Sequence, residues 1–125
     1  MEGLEHLGKQ SQDAIDQVDA IPWEGGDALV TLNCTEFTSH CPVTKQPDFA
    51  KLVIQYAPNE HLVETKSLKL YLWKYRHRAQ FNEKLTDEIA NDLFKQLKPH
   101  WLRVEGEFNT RGGIQVCCAV SLGAR

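Results

Sequence analysis

The spacing of the apolar residues switches from two to three-or-four and back again along this chain, and that switch limits the possible folds more than any other feature. Leu52, Ile54 and Tyr56 alternate with Val53 and Gln55, the two-residue period of a strand with one buried face, before Pro58-Asn59 ends the run. Between Ser67 and Arg76 the spacing is helical: Leu68, Tyr71, Leu72 and Tyr75 fall at i, i+3, i+4 and i+7, and Lys69, Trp73 and Arg76 take a different stripe. A second helix is predicted from about Asn82 to Leu97, because Leu85, Ile89, Leu93 and Leu97 recur every fourth residue, Asn82 is a candidate N-cap and Pro99 forbids continuation. Alternation then returns. Leu102, Val104, Gly106 and Phe108 oppose Arg103, Glu105 and Glu107, and Ile114, Val116, Cys118 and Val120 form a last run. With an earlier strand from Ala28 through Val30 and Leu32 to Cys34, the order is strand, strand, helix, helix, strand, strand. That order predicts an α+β fold, an antiparallel four-stranded sheet with two helices on one face.

These elements occupy residues 28–125, a single domain by size, and leave residues 1–27 as a polar N-terminal arm ending in Trp23-Glu24-Gly25-Gly26-Asp27. Leu4, Leu7, Ile15, Val18 and Ile21 give the arm some means of packing on a neighbour. Thr35 to Phe49, which carries Pro42 and Pro47, reads as a structured loop. Composition narrows the functional classes. A net charge of −3 provides no general positive field for phosphates, so nucleic acid is not a default partner. No apolar run approaches the ~20 residues of a membrane span. The opening Met-Glu-Gly-Leu-Glu-His resembles no secretory signal, so a cytoplasmic protein is expected, with Cys34, Cys41, Cys117 and Cys118 as free thiols.

Few residues invite chemistry by type and position. Cys41 lies between His40 and Pro42, and Asp48 follows seven residues on, after Pro47, so a thiol nucleophile with its own proton donor is one reading. A buried small thiol and a turn-capping aspartate is the more ordinary outcome of such spacing. Lys66 and Lys69 at the start of the first helix suit an anion or a plain solvated face. Arg111-Gly112-Gly113 offers a guanidinium for phosphate or simply marks a hairpin. No CxxC or HxxxH spacing gathers metal ligands, so no metal is expected, and His40, His61, His77 and His100 are assigned no function.

Three stretches taken in order, Glu36-Phe37-Thr38-Ser39-His40-Cys41-Pro42-Val43-Thr44-Lys45-Gln46-Pro47-Asp48-Phe49, Glu64-Thr65-Lys66-Ser67-Leu68-Lys69-Leu70-Tyr71 and Phe108-Asn109-Thr110-Arg111-Gly112-Gly113-Ile114, resemble the NADPH-dependent 7-cyano-7-deazaguanine reductases of queuosine biosynthesis. The resemblance covers roughly Ala28 to Val120 and implies the tunnelling fold, in which subunits assemble side by side into rings that share active sites. It implies that Cys41 attacks the nitrile carbon to give a covalent thioimide, that Asp48 protonates the nitrogen, and that hydride from NADPH twice reduces the product to the aminomethyl compound, a four-electron reduction. Glu83 matches the glutamate that reads a guanine-like edge. Glu64 and Thr65 match positions that meet substrate across a subunit interface, while Lys66, Lys69 and Arg111 are the implied ligands of the NADPH phosphates.

Asn82 departs from the family, which more often has histidine beside that glutamate. An amide cannot titrate, although it still donates and accepts hydrogen bonds at the substrate. Thr65 keeps the hydroxyl of the more usual serine. Two rivals follow from the same residues: a non-reducing amidino-type transferase that captures the same nitrile on tRNA, and a non-catalytic pterin- or purine-binding ring protein.

Overall fold

The computed structural model describes residues 14–125, so Leu4 and Leu7 of the arm lie outside the described residues. In chain order the elements are β1 (Ala20–Pro22), β2 (Val30–His40), β3 (Pro47–Ala57), β4 (His61–Val63), α1 (Thr65–Trp73) followed by a 3-10 turn (Lys74–His77), α2 (Asn82–Leu97), β5 (Trp101–Phe108) and β6 (Cys117–Gly123). The main sheet is antiparallel with strand order β2-β3-β5-β6. Its inward residues, Leu52, Ile54, Tyr56, Leu102, Val104 and Phe108, form one core with Leu68, Tyr71, Tyr75, Leu85, Ile89, Leu93 and Leu97 of the helical segments. Lys51, Glu107, Cys117 and Ala119 on the other face are exposed. The α+β arrangement anticipated from the periodicity is therefore the one observed.

Several boundaries differ from the sequence reading, each for a local reason. Thr35 to Phe49 is not one loop, because β2 runs on to His40 and β3 starts at Pro47, leaving only residues 41–46 between them. A bulge hides the continuation: the register against β3 shifts between Cys34 and Phe37, so that Phe37 and Ser39, rather than the residues in phase with Cys34, turn inward. Pro47 is tolerated as the first residue of its strand. The first helix ends at Trp73 and tightens into the 3-10 turn, and Phe81, not Asn82, holds the N-cap position of α2. The last strand begins at Cys117, since Ile114 is used to close a hairpin with Arg111.

Residues 14–27, the described part of the arm, dock on the domain. Strand β1 pairs antiparallel with β4, two three-residue strands too short to display a period. The Val18 N–H donates to Gln96 Oε1 (2.8 Å) and the Asp19 N–H to Ser67 Oγ (2.8 Å), while Ile15 and Val18 pack on the core.

Candidate active site

The six-residue loop between β2 and β3 is fixed from within: the Cys41 N–H donates to Gln46 O (2.9 Å) and the Lys45 N–H to Cys41 O (3.0 Å). Lys45 takes a left-handed backbone (φ 62°) to close it. The hydroxyl and N–H of Thr44 and the N–H of Val43 donate to the Cys41 thiol and hold its pKa below the ordinary value, outweighing partial burial and the Asp48 charge. A lowered thiol pKa favours the thiolate, the nucleophilic form of cysteine. Thr44 was not anticipated, because its part depends on the loop turning back on itself.

Asp48 faces the helices, 5 % exposed, directly across the β2–β3 ladder from Ser39. Arg111, in the β5–β6 hairpin at the same end of the sheet, meets it. Its Nε donates to Asp48 Oδ1 (2.5 Å), one terminal nitrogen to Pro47 O and the other to Gln46 Oε1 (3.2 Å). The hairpin that presents Arg111 has Gly112 (φ 57°) and Gly113 (φ 77°) at its two central positions, with Arg111 and Ile114 exchanging backbone hydrogen bonds of 2.9 and 3.0 Å, the geometry two successive positive-φ residues give. Arg111 is thus a carboxylate partner within the chain, a contact that lay outside the sequence reading of this residue.

The start of α2 reaches the same region through the connector that follows the 3-10 turn. The His40 N–H donates to Arg78 O (3.3 Å) and the Gln80 N–H to His40 O (3.2 Å), which seats residues 78–80 against the outer edge of β2. Glu83 is exposed in the first turn of α2 beside Asn82. Of the four buried side-chain polar atoms without a hydrogen-bond partner among the described residues, Ser39 Oγ and His40 Nδ1 lie at the end of β2 before Cys41 and Asn82 Oδ1 at the start of α2. Val43 of the β2–β3 loop, Phe49 of β3, Phe81 before α2 and Ile114 of the β5–β6 hairpin are exposed apolar side chains.

The residues of α1 form a separate group. Glu64 is 4 % exposed and caps the helix, its two oxygens accepting the Lys66 and Ser67 N–H groups at 2.8 Å each, while Ser67 Oγ donates to Glu64 O (2.7 Å). Glu64 therefore sets the helix terminus. Thr65 and Lys69 line a groove of about 470 Å³ between α1 and β2, with Cys34, Trp73 and Arg76. Lys69 Nζ lies 5.0 Å from the Trp73 ring centroid and the Arg76 guanidinium carbon 4.5 Å. Burial pushes the Cys34 thiol up. The walls of this groove include none of Cys41, Asp48, Glu83 or Arg111. All four cysteines are free, and the described residues contain no cluster of three or more His, Cys, Asp or Glu side chains arranged to hold a metal. No helix among them is long and apolar enough to cross a membrane.

A four-stranded antiparallel sheet backed by two helices, with a cysteine in the short β2–β3 loop and a nearly buried aspartate near the start of β3, defines a small α+β class of protein. A solved structure described as the archaeosine synthase QueF-Like in the apo form shares the fold at a TM-score of 0.74, covering 81% of this chain and 99% of that one at 21% sequence identity. The chain belongs to the family described as QueF-like protein, whose profile matches residues 47–125. It is also 50% identical over 93 residues to proteins named NADPH-dependent 7-cyano-7-deazaguanine reductase from Staphylococcus aureus strains JH9 and Newman, an overlap of 74% of this chain. The aligned region spans 56% of the length of those relatives.

Proposed function

We propose that the chain carries out NADPH-dependent reduction of the nitrile of 7-cyano-7-deazaguanine to the aminomethyl group, in the synthesis of queuosine. The feature that supports this reading is Cys41 in the six-residue loop between β2 and β3, close in the hairpin to the nearly buried Asp48 and its Arg111 partner. In the proposed step the Cys41 sulfur forms a bond to the nitrile carbon, one carbon–nitrogen π bond is lost, and the nitrogen takes a proton from Asp48, leaving a thioimide on Cys41. The proton that reaches the nitrogen is the one the Cys41 thiol gives up, passed through Asp48 as its contact with Arg111 loosens. Glu83 suits the ring N–H and amine of a guanine-like edge, and the unpartnered Asn82 Oδ1 is a free acceptor beside it.

NADPH, when bound, supplies the hydride that a nitrile-derived carbon requires. The groove between α1 and β2 fits its charged and aromatic parts: Lys69 and Arg76 offer cations and Trp73 an indole face. Lys66 and Lys69 would hold phosphates, and Arg111 would join them on leaving Asp48. Because this groove and the Cys41 end are separate within one chain, the reading places them together across an interface between copies in a ring, with Glu64 and Thr65 of one copy near the substrate of the next. The outer edges of β2 and β6, the two ends of the sheet order, are where such copies would join. A cytoplasmic setting accords with free thiols.

The test is anaerobic incubation with 7-cyano-7-deazaguanine, following NADPH absorbance and intact protein mass, with Cys41→Ala as control. Two NADPH oxidised per nitrile, and a substrate-mass adduct on the unmodified protein alone when NADPH is withheld, are the expected results. An adduct without NADPH oxidation would favour the amidino-type transfer, and neither signal in folded protein would favour a non-catalytic binding ring.

A further inference from the structure

We propose that Glu88, a residue of α2 remote in sequence from Cys41 and Asp48, is a positioning residue for Cys41. The proposal rests on the reading of Cys41 as the nucleophile. Glu88 Oε1 accepts hydrogen bonds from Tyr75 OH (2.8 Å) and an Arg78 terminal nitrogen (2.8 Å), and its Oε2 accepts one from Gln80 Nε2 (3.1 Å). Arg78 and Gln80 are the two residues whose backbone groups grip His40. One carboxylate therefore ties down both ends of the short segment that holds the last residue of β2 before the nucleophile.

The need for such a tie follows from the topology. β2 is an edge strand, so His40 presents its N–H and C=O to the side where the sheet has no further strand. Residues 78–80 stand in for that strand, yet they are irregular backbone with exposed side chains at Arg78 and Ala79 and only two hydrogen bonds to β2. Their rigidity must come from elsewhere. Glu88 supplies it from a regular helix, and Tyr75, bonded to the same carboxylate, packs its ring on Phe37 of β2 at 5.8 Å. The thiol's three donors are in the loop that begins one residue past this grip, so a loosened His40 lets Cys41 drift from Thr44 and Val43.

The experiment compares the full chain with Glu88→Gln and with the double variant Arg78→Ala and Gln80→Ala, which leaves Glu88 and Tyr75 in place. Iodoacetamide alkylation at Cys41, located by peptide mass, is measured at fixed pH, with Cys117 on the opposite edge of the sheet as the internal reference. Circular dichroism and thermal melting confirm folding. Alkylation of Cys41 is expected to slow about tenfold in the double variant, with Cys117 unchanged. Glu88→Gln, which keeps one accepting oxygen, is expected to slow it less, and nitrile adduct formation to fall in parallel while the NADPH KM holds. Unchanged Cys41 alkylation in both folded variants would overturn the proposal. Failure of the unaltered protein to form any nitrile adduct would instead overturn the reductase reading, and the alkylation comparison would still decide the role of Glu88.

Discussion

Arg111 and Asp48, 63 residues apart in the chain, meet as a charge-assisted pair at 2.5 Å, and the carboxylate end of that pair is nearly buried. The pair joins the β5–β6 hairpin to the base of the Cys41 loop. If its main task is to orient Asp48, Arg111→Ala will slow nitrile adduct formation about tenfold or more in the absence of NADPH. If Arg111 serves only cofactor phosphates, adduct formation will hold and only the NADPH KM will rise. Single-turnover mass spectrometry and steady-state kinetics on the same variant separate the two.

Thr44 gives Cys41 its largest stabilising hydrogen bond. Thr44→Val removes the hydroxyl donor and leaves both backbone donors, so the thiol pKa should rise toward its ordinary value. The pH at which iodoacetamide alkylation reaches half its maximum rate is expected to move upward, with Thr44→Ser restoring it. No movement in either variant would show that the backbone donors alone set the thiol.

Glu88 also predicts a pH dependence of stability. Burial raises its pKa, but hydrogen bonds from Gln80 and Tyr75 and the charge of Arg78 outweigh this and hold it below the ordinary value. Lys74 Nζ, 3.8 Å from Glu88 Oε1 and 3.7 Å from Asp92 Oδ2, adds to the favourable field. A carboxylate with a depressed folded-state pKa stabilises above its unfolded value, near ~4.3, and loses that stabilisation as pH falls through the folded value. Thermal melts between about pH 6 and pH 3 should therefore fall more steeply for the unaltered protein than for Glu88→Gln. Parallel curves would contradict this.

Gly106 on β5 has no room for a side chain. A Cβ there would lie 2.6 Å from Phe108 Cε2 and 3.2 Å from Thr86 Oγ1 of α2, and Phe108 is 1 % exposed and unable to swing away. Gly106→Ala is expected to destabilise the fold by about 1–3 kcal/mol through overpacking. Urea denaturation measures it, and a change below about 0.5 kcal/mol would mean that α2 shifts freely over the sheet.

The periodicity of the sequence was enough for the order of the main sheet and both helices and for the buried stripe of α2 and the inward face of β5, because a half-buried strand and an amphipathic helix write their burial into consecutive residues. Leu85, Ile89, Leu93 and Leu97, expected to be one stripe, are all buried. The bulge after Cys34 was invisible for the same reason, since one extra residue breaks the phase on which the pattern depends. Likewise β1 and β4 were too short to show a period at all.

For the site, residue type and position drew attention to Cys41, Asp48 and Arg111, and the family resemblance alone added Glu83 and favoured a catalytic reading of Cys41. Only the tertiary structure decided whom each one meets. Arg111 finds Asp48 because two hairpins end at the same corner of the sheet, Glu64 turns back to cap α1, and Thr44 reaches the thiol because its loop closes. Glu88 enters because a helix crosses behind an irregular connector. Local spacing records the period of an element and the chemistry of a side chain, whereas contacts between residues far apart arise from packing, which no short stretch of sequence contains.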